Sequence, residues 1–132
     1  MTRTQALRLA PADMTRQVAN STLRTLLEQV AQDTTSIMVF VGSPGCIQIH
    51  SGPVKNIKVM NEWLNVLDPD FNLHVREDLI HSSWIVRKPT SEGIVTSLET
   101  YNAKGEQIAI LFSKRKDHKE ESEAWRQRLA VL

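Results

Sequence analysis

A single cysteine, Cys46, stands among 132 residues, so no intrachain disulfide can form and no metal cage of several thiolates can be built. An excess of either charge is missing too: 16 Lys and Arg face 15 Asp and Glu, for a formal charge of +1. Nucleic-acid binders draw most of their affinity from neutralising phosphates with a clear basic excess, so that class is set aside. No apolar run approaches the ~20 residues needed to span a bilayer. Residues 1–7 lack the apolar centre of a secretory signal. Membrane insertion is therefore not expected, and a reducing cytoplasm is the expected setting. Nucleophile and nucleotide signatures are also absent: there is no G-x-S-x-G, Walker loop, G-x-G-x-x-G or H-E-x-x-H. Cys46 carries no local sign of activation and reads as a small hydrophobe.

What is present suits one globular domain, residues 1–132, long enough to bury a core without staples. The hydrophobic fraction of 41% and charged fraction of 23% are ordinary for such a domain, so disorder is not expected along most of it. Ala6, Leu7 and Leu9 predict a short helix that stops before Pro11; the rest of residues 1–18 has no clear period. Leu23, Leu26, Leu27 and Val30 repeat at helical spacing behind a capping Asn20 or Ser21, predicting an amphipathic helix to Asp33.

Extended structure follows. Residues 37–41 form an apolar run closed by Gly42-Ser43-Pro44-Gly45, and 46–50, 54–60, 63–67, 71–76, 83–87, 94–101 and 107–114 are further strand segments. Asn102-Ala103-Lys104-Gly105 reads as a hairpin loop in which glycine supplies the positive φ. The chain closes with a helix from about Lys119, with Trp125, Leu129 and Leu132 on its apolar side and Glu120, Glu121 and Glu123 at the positive end of its dipole. The predicted class is α+β: a largely antiparallel sheet of about seven to eight strands with flanking N- and C-terminal helices packed against one sheet face.

Four histidines occur, His50, His74, His81 and His118, and none has the i, i+4 partner of a helical metal site. His50 and His74 fall inside strand segments, where alternation sets the direction of the ring. His118 lies in the charged stretch 114–121 and reads as solvated. Two cationic groups stand at strand ends, Arg87-Lys88 before Pro89 and Lys114-Arg115-Lys116 after the last strand. Their bland reading is edge charge that discourages sheet association. Their functional reading is a clamp for carboxylates or phosphates at the rim of an apolar sheet face.

Several long strings make the reading more specific. Val39-Phe40-Val41-Gly42, Gly45-Cys46-Ile47-Gln48-Ile49-His50-Ser51-Gly52 and Trp63-Leu64-Asn65-Val66-Leu67-Asp68-Pro69-Asp70-Phe71-Asn72-Leu73-His74 occur in order. They are followed by Arg87-Lys88-Pro89-Thr90-Ser91, Gly93-Ile94-Val95-Thr96-Ser97-Leu98-Glu99 and Trp125-Arg126. Together they resemble the HemS/ChuS family of haem-utilisation proteins over nearly the whole chain. The resemblance implies one half of a duplicated sheet-and-helix fold, namely most of its C-terminal repeat. It also implies that the family's proximal haem histidine falls just ahead of residue 1, which leaves the iron ligand unassigned, with His50 and His81 as the weak candidates.

Carried over position by position, the resemblance implies haem as the bound group. Arg3 is the arginine close to it, Met38 a contact from the first long strand, and Lys88 and Arg115 the cations for the propionates. Ile110 and Phe112 stand where better-known relatives have Gln and Tyr, which removes two polar handles and keeps an apolar wall. Two positions apart on a strand, they share a face. The implied function is haem binding for intracellular transport and iron acquisition by a bacterial protein, without catalytic residues of its own. Partners would be haem and a second copy in a homodimer, with a haem-uptake transporter or a haem oxygenase as further partners. Two alternatives stand beside it: a haem-degrading enzyme in which the haem carries the chemistry, and a remnant that serves only as a dimerisation domain.

Overall fold

The computed structural model describes residues 2–115 and 120–132. The sequence reading of His118, and the start of the closing helix near Lys119, lie outside the described residues. The elements run α1 (Arg3–Leu9), β1 (Thr15–Val18), α2 (Thr22–Asp33), β2 (Ile37–Ser43), β3 (Cys46–Gly52), β4 (Ile57–Met60), β5 (Trp63–Asp68), β6 (Phe71–Arg76), β7 (Ser82–Thr90), β8 (Gly93–Tyr101), β9 (Gln107–Ser113) and α3 (Glu123–Ala130). The α+β class expected from the sequence is what is found, with every strand pairing antiparallel.

The expected single sheet is instead two. Six strands lie in the order β1-β7-β8-β9-β2-β3, and β4-β5-β6 form a separate meander. The break falls at Gly52-Pro53, where Gly52 turns out of β3 at φ 144° and Pro53 has no N–H to continue a ladder. The buried Asp68 carboxylate then secures the crossing: Oδ2 accepts from Lys55 N at 2.9 Å and Oδ1 from Asn56 N at 2.9 Å. The β2–β3 turn is Pro44-Gly45, with proline presetting φ and Gly45 taking φ 87°.

The main core lies between the inner face of the six-stranded sheet (Ile37, Val39, Ile85, Leu98, Leu111), the meander (Leu64, Val66, Val75) and the apolar sides of α2 and α3. Leu23, Leu26, Leu27 and Val30 of α2 are fully buried there, as their spacing predicts. α3 is keyed to β8. Beside Ser97↔Phe112, where β9 pairing ends, Thr96 N donates to Glu121 Oε2 at 2.7 Å and Thr96 O accepts from Trp125 Nε1 at 2.9 Å. Ser122 caps the helix by accepting from Trp125 N at 3.2 Å.

Two further features depart from the sequence reading. β1 had no clear period, because Thr-Arg-Gln-Val is short and polar; it pairs with β7 at the sheet edge, and Arg16 reaches over to the Leu129 and Leu132 carbonyls at the end of α3. Helix α1 does not join the other helices. It lies on the outer face of the sheet, with Leu7 set among Trp84, Val86 and Tyr101. Its ends are explained locally: Thr2 and Gln5 form a reciprocal capping box, and Pro11 follows the last turn.

Candidate functional site

Alternation along the strands sorts the six-stranded sheet into two faces. Directly paired residues share a face, so the registers Met38↔Phe112↔Ser97 and Phe40↔Ile110↔Glu99 place these six side chains on one side. It is the outer side, since Val39, Leu111 and Leu98 between them point into the core. Met38, Phe40, Ile110 and Phe112 thus make a block two strands wide, each half-buried. The Phe40 and Phe112 rings meet edge to face at 5.1 Å. Beyond Phe40 the register continues to Ile49 on β3, and Ile47 stands two residues on; they are 51% and 69% exposed.

Cations stand at two places around this sheet. Lys88, exposed near the end of β7, is paired in register with Val95 and lies on the same side as Val86 and Trp84. Arg115 follows β9 and pairs with Glu92 in the β7–β8 turn at 3.7 Å, so both cations belong to the same end of the sheet. Arg3 lies nearer the other end, on α1. Its Nε and Nη2 donate to Glu99 at 3.3 and 3.0 Å. Glu99 itself is 3% exposed and also accepts from the Tyr101 hydroxyl and, at 3.4 Å, from Ser97 Oγ.

Two members of this cluster are shifted by their surroundings. The hydrogen bond to Glu99 raises the Arg3 guanidinium above its ordinary value. Burial, followed by the hydrogen bond to Glu99, pushes the Tyr101 phenol well up, so it remains a donor at neutral pH.

The structure brings Met38, Ile110, Phe112 and Arg3 around one face, with Lys88 and Arg115 at one end of it. Among the described residues, it does not bring His50, His74 or His81 there. His50 is paired with Val39 on the inner side, where its ring stacks on Phe71 at 3.8 Å. His81 is exposed just before β7, at the opposite end of that strand from Lys88. His74 is on the meander, donating from Nδ1 to Asn65 Oδ1 at 2.8 Å; the Asn65 amide nitrogen in turn donates to Lys58 O at 3.0 Å, which fixes the orientation. Among the described residues, no group of three or more His, Cys, Asp or Glu could hold a metal ion, and no helix is long and apolar enough to cross a membrane.

Three contributors escaped the sequence reading: Phe40, Glu99 and Tyr101. Phe40 was within reach, being two residues from Met38 on a strand. Glu99 offered a quieter signal, a carboxylate flanked by Leu98 and Thr100 within a strand that the sheet covers on both edges.

A half-open apolar sheet face with Arg and Lys around it is chemically suited to a flat, anionic, largely apolar ligand. Comparison with known proteins agrees. The family model described as "Haemin-degrading HemS.ChuX domain" matches residues 1–132, and the chain belongs to that family. The hemin transport protein HmuS of Yersinia pestis is 44% identical over 132 residues, covering 100% of this chain and 38% of that protein. The crystal structure of ChuS, an E. coli heme oxygenase, superposes with a TM-score of 0.96 at 45% identity, covering 100% of this chain and 40% of that one. Holo-PhuS, a heme-binding protein from Pseudomonas aeruginosa, gives a TM-score of 0.93 at 48% identity over 96% of this chain and 36% of that one. The chain therefore spans well under half the length of these relatives.

Proposed function

We propose that this chain binds haem on the outer face of its six-stranded sheet, in a role in haem transport and iron acquisition within the cytoplasm. The observation that carries the reading is the half-open block of Met38, Phe40, Ile110 and Phe112 with Lys88 and Arg115 gathered at one end. A porphyrin is apolar across its plane and bears two carboxylates on one edge, so plane and edge are complementary to block and cations. The face offers apolar contact and charge pairing but no histidine, so among the described residues the chain supports porphyrin binding rather than strong iron ligation. Bound haem would supply the redox chemistry, and the protein its orientation and shelter.

Haemin titration followed at the Soret band tests the reading. Saturation at micromolar haemin is expected. Phe112→Glu, which sets a negative charge on the apolar block, should weaken binding by at least tenfold, about 1.4 kcal/mol. A wild-type chain without a saturable complex would overturn the proposal.

A second reading, breakdown of the bound haem by a reductant, is favoured by the 45% identity to ChuS, whose crystal structure is described as that of a heme oxygenase. Ascorbate added to the same complex distinguishes the two, since a carrier keeps its Soret band. The exposed Ile47 and Ile49 also support a homodimer, because apolar side chains continuous with a ligand face are commonly covered by a partner. A haem-uptake transporter or a separate haem oxygenase would complete the route on either side.

A further inference from the structure

We infer that Glu99 is a positioning residue for the haem face: it grips one edge of the Arg3 guanidinium and leaves the other edge turned toward the bound ligand. The inference rests on the haem reading above and deepens it. Glu99 sits beside Ile110 in register, on the ligand side of the sheet, yet is 3% exposed. A carboxylate in such surroundings is costly unless charge and hydrogen bonds compensate it. Here three donors converge on it: Arg3 through Nε and Nη2, the Tyr101 hydroxyl, and Ser97 Oγ. An apolar residue would fill this place in the sheet without that requirement, so packing alone does not explain a carboxylate here.

Arg3 does explain it. Its side chain is 49% exposed although its partner is buried, so the cluster reaches from the interior of the wall to its surface. A guanidinium is a rigid planar fork. With the Nε–Nη2 edge engaged by Glu99, Nη1 is the guanidinium group that makes no contact with that carboxylate and that this reading turns toward an anionic oxygen of the ligand. Without Glu99, a long arginine side chain would have to be frozen on binding, at a cost in rotamer entropy; with it, the side chain is already in place. The opposing effect is partial cancellation of the Arg3 charge by Glu99. Because Arg3 is half in water, charge at that distance is screened, and the gain from orientation outweighs the loss of charge.

Haemin is titrated into wild type, Arg3→Ala, Glu99→Gln and the double variant at fixed salt. Each single variant should weaken binding about five- to tenfold, and the double variant should be no more than about twofold weaker than the worse single, the non-additivity of two groups acting as one. Arg3→Lys keeps the charge but cannot make the forked contact, and should bind like Arg3→Ala; at this exposed position it folds even if Glu99→Gln does not. A haem-free readout accompanies these: the Arg3 Nε–H resonance in 15N NMR should be sharp in the wild type and lost to solvent exchange in Glu99→Gln. Strictly additive losses, wild-type affinity in Arg3→Lys, or an unchanged Nε–H resonance in Glu99→Gln would each overturn the role of Glu99 while leaving haem binding standing. Absence of any wild-type complex would overturn the haem reading and the role of Glu99 with it.

Discussion

At the scale of single residues, buried carboxylates do different work on opposite faces of the same strand, β8. Glu99 faces the ligand side, whereas Glu121 arrives from the segment before α3 and closes the inner side. Glu121 is nearly inaccessible and accepts from Thr96 N, from Thr96 Oγ1 at 2.5 Å and from Arg126 Nε at 3.0 Å. Glu121→Ala therefore leaves the buried Thr96 N–H and hydroxyl without their acceptor, while Arg126 keeps Glu123 and the Ile94 carbonyl, and should cost about 2 kcal/mol in urea unfolding with the m-value unchanged. Loss of less than about 1 kcal/mol would mean that water replaces the carboxylate at Thr96. From the sequence, Glu121 reads as one of three glutamates favouring a helix dipole. That reading holds for Glu123, which lies in the first turn of α3. It misses Glu121 because the need for an acceptor arises only when β9 stops pairing with β8, a fact of register and not of local composition. Arg3, Met38, Lys88, Ile110, Phe112 and Arg115 could be carried to this chain by resemblance, whereas Glu99 showed in the sequence only as a carboxylate inside a strand, and its link to Arg3 and Tyr101 becomes visible when α1 is seen to lie on their face.

At the scale of elements, α2 and α3 are joined to each other as well as to the sheet. Arg128 of α3 pairs with Asp33 at the last residue of α2, and Asp33 also accepts from Thr35 Oγ1 at 2.5 Å. These contacts, the Thr35 hydroxyl first and Arg128 second, hold the Asp33 carboxyl below the usual carboxylate range. A depressed folded-state pKa contributes stability above the unfolded value of 3.8, and this contribution is lost as pH falls through the folded value. Since the Asp33 side chain is 47% exposed, solvent screening keeps it below about 1 kcal/mol. Asp33→Asn should lower Tm slightly at pH 7 and not at pH 2; an equal loss at both pH values would show that packing rather than charge is responsible. Strong periodicity made α2, and short apolar runs made most strands, legible in the sequence. β1 and the placement of α1 were not, because a four-residue edge strand has too few positions to show a period, and a helix with one buried residue does not reveal which face it covers.

At the scale of the whole molecule, one sheet serves two environments. Its inner face is closed by α2, α3 and the meander, while its outer face is closed by α1 over β7 and β8 and remains half open over β9, β2 and β3. The proposed homodimer would cover the β3 end of this face, where Ile47 and Ile49 stand. Light scattering should then give twice the 15.0 kDa chain mass, and Ile49→Lys should return it to one chain, as a charge on that strand disfavours association. A clean single-chain mass for the wild type would remove the dimer and leave the haem face untouched. The fold class and the break between the strand segments 46–50 and 54–60 could be read from the sequence, but the division into two sheets could not, since pairing partners are set by packing and not by local pattern.

The sharing of the Thr96 peptide has a practical consequence for how the molecule comes apart. Both its N–H and its C=O are held by side chains that arrive from the far end of the chain. A protease that clipped the connection ahead of α3 would not trim a tail; it would pull a key from the middle of the sheet. The cut product should lose its slowest-exchanging amides and become a substrate for complete digestion, so the protein is expected to resist nicking as a whole or to disappear as a whole, without a stable shortened core.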